Sequence, residues 1–233
     1  MKRLLLLTFL FCPLLACPLQ AAAKEKAPKR VCRILFLNPP ADAPEKLFLF
    51  DGAKSREVQL SGMNLSETQE IPAGDADLYL TPALVAKPGE IPSGAPTAKL
   101  PASFGDFYLV VTSDPANTVA PVKIQILDSG KQKFKKGQIL WYNLTSSKII
   151  GDLGTKKLDL GGNAQAVVEE PAKENESFDV NLSYLAPDDP TPHPLTQTQW
   201  VHDPRSRMVM LVYADGENAV PQLTGVKDFR ETK

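Results

Sequence analysis

Along much of this chain hydrophobic and polar residues alternate one for one. Val122, Ile124 and Ile126 share one side of their segment, with Lys123 and Gln125 on the other, and Phe178, Val180, Leu182 and Tyr184 oppose Asp179, Asn181 and Ser183. A period of two means strands with one face buried and one wet, the habit of antiparallel sheets. Apolar runs at 47–50 and 211–213 precede Asp51-Gly52 and Asp215-Gly216, and Asp-Gly after such a run marks a hairpin. No stretch beyond residue 23 keeps a helical period for three turns, and 21 prolines with 14 glycines leave long helices little room. Strands are predicted near 32–37, 46–51, 56–60, 67–71, 77–81, 107–112 and 122–128. A second set is predicted near 138–143, 148–152, 156–160, 164–169, 178–185, 208–213 and 222–229, where 197–201 could add one more. Seven short strands in about 100 residues, with turn residues between them, is the outline of an immunoglobulin-like sandwich.

The two sets repeat one another. Ile34-Leu-Phe-Leu-Asn38 returns as Ile139-Leu-Trp-Tyr-Asn143, Val58-Gln-Leu60 as Leu158-Asp-Leu160, and Asp77-Leu-Tyr-Leu80 as Asp179-Val-Asn-Leu182. Leu109-Val-Val111 returns as Met210-Leu-Val212, each followed by an aspartate and an asparagine at matching positions. The reading is an all-β chain of two tandem immunoglobulin-like β-sandwich domains from an internal duplication, behind an N-terminal signal peptide. One larger sandwich merging both copies is the competing architecture. The expected boundaries are a signal peptide over 1–23, a charged linker over 24–30, the first sandwich over 31–129, a basic linker over 130–136 and the second sandwich over 137–233. Between the fifth and sixth predicted strands each copy carries five prolines: Pro82, Pro88, Pro92, Pro96 and Pro101, then Pro187, Pro190, Pro192, Pro194 and Pro204. Such segments are stiff and extended, suited to crossing from one sheet to the other.

The chain opens with Lys2-Arg3, an apolar run from Leu4 to Ala16 and then Ala21-Ala-Ala23, the three parts of a secretory signal peptide. The apolar run is shorter than the roughly 20 residues a bilayer span needs. Leu14-Leu-Ala16-Cys17 also has the form of a bacterial lipobox, so acylation at Cys17 is the alternative to cleavage after Ala23. Both routes predict an extracytoplasmic protein, periplasmic or secreted, or held by a lipid anchor. No later run is long enough to cross a membrane as a helix.

Charge and cysteine content narrow the functional classes. Twenty-six basic residues against 27 acidic ones give no basic face for nucleic acid. The one basic cluster, Lys131, Lys133, Lys135 and Lys136 around Phe134, falls between the copies, as a solvated linker would. Cys12 and Cys17 lie in the targeting segment, which leaves Cys32 and excludes a disulfide framework or a thiolate zinc site. With His193 and His202 the only histidines, a three-histidine metal site is excluded as well. No nucleophile elbow, zinc-protease helix or phosphate loop is present. No cofactor, metal or catalytic set is therefore expected.

The clearest difference between the copies is His202-Asp-Pro-Arg-Ser-Arg207, which stands against Pro101-Ala-Ser-Phe-Gly-Asp106. Histidine beside a carboxylate and two guanidinium groups has the makings of an acid–base or anion site. Asp203-Pro204-Arg205-Ser206 also fits a type I turn, with Asp first and Pro second. Trp141 and Tyr142 are adjacent on one strand, so one ring faces a core and the other an exposed surface or the domain junction. Trp141 is expected to repeat the core role of Phe36. Exposed rings at Tyr142 and Trp200 could stack on a sugar or a peptide. Trp200, His202, Asp203, Arg205, Arg207 and Tyr142 are thus the candidate binding residues.

Leu35-Phe-Leu-Asn-Pro-Pro-Ala-Asp-Ala-Pro44, with Trp200-Val-His-Asp-Pro-Arg-Ser-Arg207, resembles a group of secreted bacterial β-sandwich proteins without an assigned activity. The resemblance implies export and no particular chemistry. The functional expectation is an exported, non-enzymatic binding or structural protein of the bacterial cell envelope, with an envelope protein or a glycan as its partner. The alternatives are a carbohydrate- or peptide-binding module using the 200–207 turn, and an enzyme centred on His202, Asp203 and Arg205.

Overall fold

The computed structural model describes residues 29–130, 134–173, 175–216 and 219–229. The signal peptide, Cys17 and most of the 24–30 linker lie outside the described residues. The first half forms β1 (Lys29–Phe36), β2 (Lys46–Phe50), β3 (Ser55–Gln59), β4 (Gln69–Pro72), β5 (Ala76–Thr81), β6 (Thr97–Leu100), β7 (Phe107–Ser113) and β8 (Val122–Asp128). The second forms β9 (Ile139–Asn143), β10 (Lys148–Leu153), β11 (Lys156–Leu160), β12 (Gln165–Val168), β13 (Ser177–Ala186), β14 (Asp189–Val201), β15 (Arg207–Tyr213) and β16 (Gln222–Asp228).

These strands make two tandem β-sandwiches with one topology. The first pairs a β4-β1-β7-β8 sheet with a β3-β2-β5-β6 sheet, and the second repeats this as β12-β9-β15-β16 and β11-β10-β13-β14. In both, the first strand runs parallel to the seventh and every other ladder is antiparallel. The domains are immunoglobulin-like in size and in their two facing sheets, but each carries eight strands in two fours, where seven were predicted in the first copy and seven with an optional eighth at 197–201 in the second. The extra strand is β6 in one copy and β14 in the other, and both come from the proline-rich connectors.

Each connector contains an edge strand before it crosses: the short β6 after a loop in the first copy, and the long β14 in the second. Pro190, Pro192 and Pro194 sit at alternate positions of β14, an outer strand of its sheet. Alternate N–H groups of an edge strand point to solvent, so prolines there remove no ladder bond and blunt the exposed edge. The crossover itself is the short stretch that follows, 101–106 in the first copy and 202–206 in the second.

Pairing also corrects the alignment of the copies. Ile34 pairs with Leu109 and Trp141 with Met210. Leu37 N–H donates to the Val111 carbonyl as Leu144 N–H does to that of Val212. The equivalent of Trp141 is therefore Ile34, not Phe36, and by the same reasoning Val58 matches Leu160, partner of Ile149, rather than Leu158. The slip is two residues in each case, which leaves every side chain on its own face and is invisible to a hydrophobic pattern.

Three cores result. Ile34, Phe36, Leu49, Leu80 and Leu109 fill the first sandwich, and Trp141, Ile149, Val180, Leu182 and Val212 the second. A third core, with Leu35, Tyr108, Val110, Leu140, Tyr142, Val209 and Leu211, lies between the domains, where the β1 sheet packs on the β9 sheet. Strands β1, β7, β9 and β15 are thus covered on both faces, which accounts for their unbroken apolar runs. Tyr142 is the residue at the junction, its hydroxyl donating to the Asp128 carbonyl at 2.6 Å. Phe134, placed in the solvated linker by its lysine neighbours, is buried in this same core, while 131–133 lie outside the described residues. At the other end of the first domain, β1 begins two residues inside the predicted charged linker. Arg30 is buried there, its guanidinium donating to the Pro72 and Pro101 carbonyls, each at 2.8 Å.

Candidate functional site

A cavity of about 520 Å³ opens between the two sheets of the second sandwich, along the side bounded by β14 and β16. Phe178, Trp200, Met208, Met210 and Leu223 form its apolar walls, with Gly225 on β16. Its size falls within the range of ligand pockets, and methionines are the side chains that best adapt to varied shapes.

The duplication shows how the cavity arises. In the first sandwich β6 packs against β8 and closes the same side: Leu100 is buried, with Ile124 and Ile126 packed on the core. Register pairs locate the equivalent residues of the second copy. Leu100, opposite Ala76, becomes Trp200, opposite Phe178; Ile126, opposite Leu109, becomes Gly225, opposite Met210. Large aromatic rings thus replace Leu100 and Ala76 on one sheet, and a missing side chain replaces Ile126 on the other. Trp200 stacks on Trp141 at 6.2 Å between centroids and meets Phe178 edge-on at 6.1 Å. A β-carbon on Gly225 would lie 2.7 Å from Met210 Sδ, so the space left by the glycine is where the methionine passes.

The 202–206 crossover lines one end of the cavity with His202, Asp203 and Ser206. Asp203-Pro-Arg-Ser206 forms the predicted turn, with Ser206 N–H donating to the Asp203 carbonyl at 3.4 Å and Arg205 N–H to Asp203 Oδ1 at 3.1 Å. His202 is buried; its Nε2 lies 2.9 Å from the Gly137 carbonyl oxygen and its Nδ1 3.2 Å from that of Lys173. Both ring nitrogens lie against backbone carbonyls, so the imidazole sits between Gly137, just before β9, and Lys173, and turns neither nitrogen to the cavity. Asp203 Oδ2 accepts from Ser206 Oγ at 3.2 Å and Lys227 Nζ at 3.1 Å. Partial burial raises the Asp203 pKa, but hydrogen bonds from the Arg205 backbone, Lys227 and the Arg205 side chain outweigh it and hold the carboxyl at about 2.

That depression sets a pH signature. A carboxyl whose folded pKa lies below its ordinary value of 3.8 adds stability above about pH 4 and loses it as pH falls toward 2. Asp203→Asn is expected to be less stable than the parent at pH 6, with the gap shrinking between pH 4 and 2. Urea denaturation across that range checks it, and a gap that does not vary with pH would refute it.

Of the six residues expected to bind, Trp200, His202 and Asp203 come together on the cavity wall. Three do not. Tyr142 is buried at the domain junction, and the Arg205 side chain is 82% exposed on the outer side of the turn. Arg207 faces the junction, where it pairs with Asp228 at 2.6 Å and lies 5.1 Å over the Phe134 ring. Met208, Met210, Phe178, Leu223 and Gly225 escaped the sequence reading; their signal, a core isoleucine exchanged for glycine between copies, needs the correct register to be seen. A two-sandwich protein with one closed copy and one opened into a cavity is what the fold and site define. No protein-family model matches the chain, and comparison with curated proteins finds no match.

Proposed function

We propose that the protein is an exported, non-enzymatic binding protein of the bacterial cell envelope, in which the first sandwich is scaffold and the cavity of the second takes the ligand. The observation that carries this reading is the paired difference at one place in the fold: Leu100 and Ile126 close the side of one copy, and Trp200 and Gly225 open the other. The buried, backbone-tethered His202 supports binding over acid–base chemistry. Export rests on the basic, apolar and small-residue parts of residues 1–23 and on the Leu14–Cys17 alternative.

A neutral apolar dye, N-phenyl-1-naphthylamine, is expected to brighten on the protein and to lose about tenfold in affinity with Gly225→Val, whose side chain meets Met210 Sδ and drives the methionine into the cavity. Trp200→Leu, which restores the residue of the closed copy, is the second variant, and circular dichroism confirms that each folds. Equal dye binding by all three proteins would overturn the cavity as the binding site. Mass spectrometry of the protein from a fractionated bacterial host is expected to find a chain starting at Lys24 or at an acylated Cys17; an intact Met1 in the cytoplasm would overturn export.

A further inference from the structure

Resting on the cavity as the binding site, we propose that its occupant is an extended polypeptide segment with apolar side chains at alternate positions and a basic residue at one end. Wall residues run from Thr196 to Val201 on β14 and from Leu223 to Lys227 on β16. At about 3.3 Å per residue the space is elongated along the strands, roughly 13–17 Å, the reach of four or five extended residues. Both bordering strands are outer strands of their sheets, so their free edges offer backbone groups for strand addition. The edge-blunting prolines of β14 stop at Pro194, and 195–201, beside the cavity, contains none.

The polar groups of the wall favour this occupant over a sugar. Both ring nitrogens of His202 lie against backbone carbonyls, of Gly137 and Lys173, and Asp203 is committed to Ser206, Lys227 and Arg205. Gln138 donates to Glu169 and accepts from Lys135 N–H, both at 2.6 Å. A sugar ring needs several unspent partners for its hydroxyls, whereas a strand brings its own backbone pairing and needs apolar room for its side chains. Trp200, Phe178 and the two methionines supply that room.

Charge sets the direction. Past Phe178 and Gln199, which the two share, the cavity adjoins a second cleft lined by Glu170, Glu176 and Asp179 with Lys173, Asp179 standing on the outer face of β13 and accepting from Gln199 at 2.9 Å. Three carboxylates to one ammonium at that end suit a lysine or arginine on the incoming segment.

The test is fluorescence anisotropy on the full mature chain with the labelled peptide Arg-Thr-Leu-Thr-Phe-Thr-Leu. Binding is expected, weakened about tenfold or more by glutamate in place of the arginine, by serine in place of the apolar residues, or by backbone N-methylation at alternate positions. Gly225→Val should weaken it similarly, and Asp179→Lys, on the exposed rim, should reverse the preference between the arginine and glutamate peptides. Dye binding that Gly225→Val abolishes, with no peptide binding, would overturn the peptide occupant and leave the cavity reading standing. Peptide binding indifferent to N-methylation and to Asp179→Lys would overturn it too, and failure of both dye and peptide would remove both readings.

Discussion

Replacing Asp228 by alanine is expected to destabilise the protein by about 3–5 kcal/mol, the usual effect of removing one partner from a buried ionic cluster. The Asp228 side chain is fully buried near the end of β16. One oxygen pairs with Arg33 Nη1 at 2.5 Å; the other accepts from Arg207 Nη2 and the Tyr108 hydroxyl, each at 2.6 Å. Arg33 and Tyr108 belong to the first domain and Asp228 to the second, so one carboxylate holds two domains together. The two arginine side chains are only 14% and 15% exposed, and without the carboxylate both charges remain in that environment uncompensated. Arg33→Met in the Asp228→Ala background is expected to recover part of the loss, because it removes one stranded cation. Urea denaturation of the two single variants and the double variant gives the coupling; purely additive losses would mean that the cluster does not form in solution.

Trp141→Ala is expected to cost a further amount of the same order, about 3–5 kcal/mol. The indole is fully buried at the centre of the second core and is the stacking partner of Trp200. Alanine there leaves a void beneath the cavity wall and frees Trp200 to collapse into it. Trp141→Phe should cost markedly less, because Trp141 Nε1 has no hydrogen-bond partner among the described residues and its removal orphans no acceptor. Thermal unfolding ranks the variants, and Trp200 fluorescence in Trp141→Ala and Trp141→Phe, where it is the remaining tryptophan, reports the wall. A large loss in Trp141→Phe would show that the indole N–H is paired in solution.

Much of this architecture can be read before folding, because alternation reports directly on which face of a strand is wet. Residues 122–126 and the first half of Ser177–Ala186 lie where their alternation puts them, and Asp51-Gly52 turns the β2–β3 hairpin, with Gly52 at φ +87° and Asp51 Oδ1 accepting from Ala53 and Lys54 N–H. The repeat is also legible, since two chains of one topology need similar residues at similar spacings. The candidate site was half legible. Trp200 and the 202–206 turn stood out as a difference between copies, whereas Tyr142 and Arg207 drew notice for chemistry that the junction consumes.

A period of two and a duplicated motif pointed to two sandwiches ahead of one merged sandwich, and to the buried face of several of their strands. Only the tertiary structure decided the register between the copies, the face-to-face packing of their inner sheets and the cavity. The reason is physical: a slip of two residues changes no face, and burial on a second side looks the same from either partner. A cavity, moreover, is a difference in volume between residues such as Trp200 and Gly225, which meet only when two sheets close on each other.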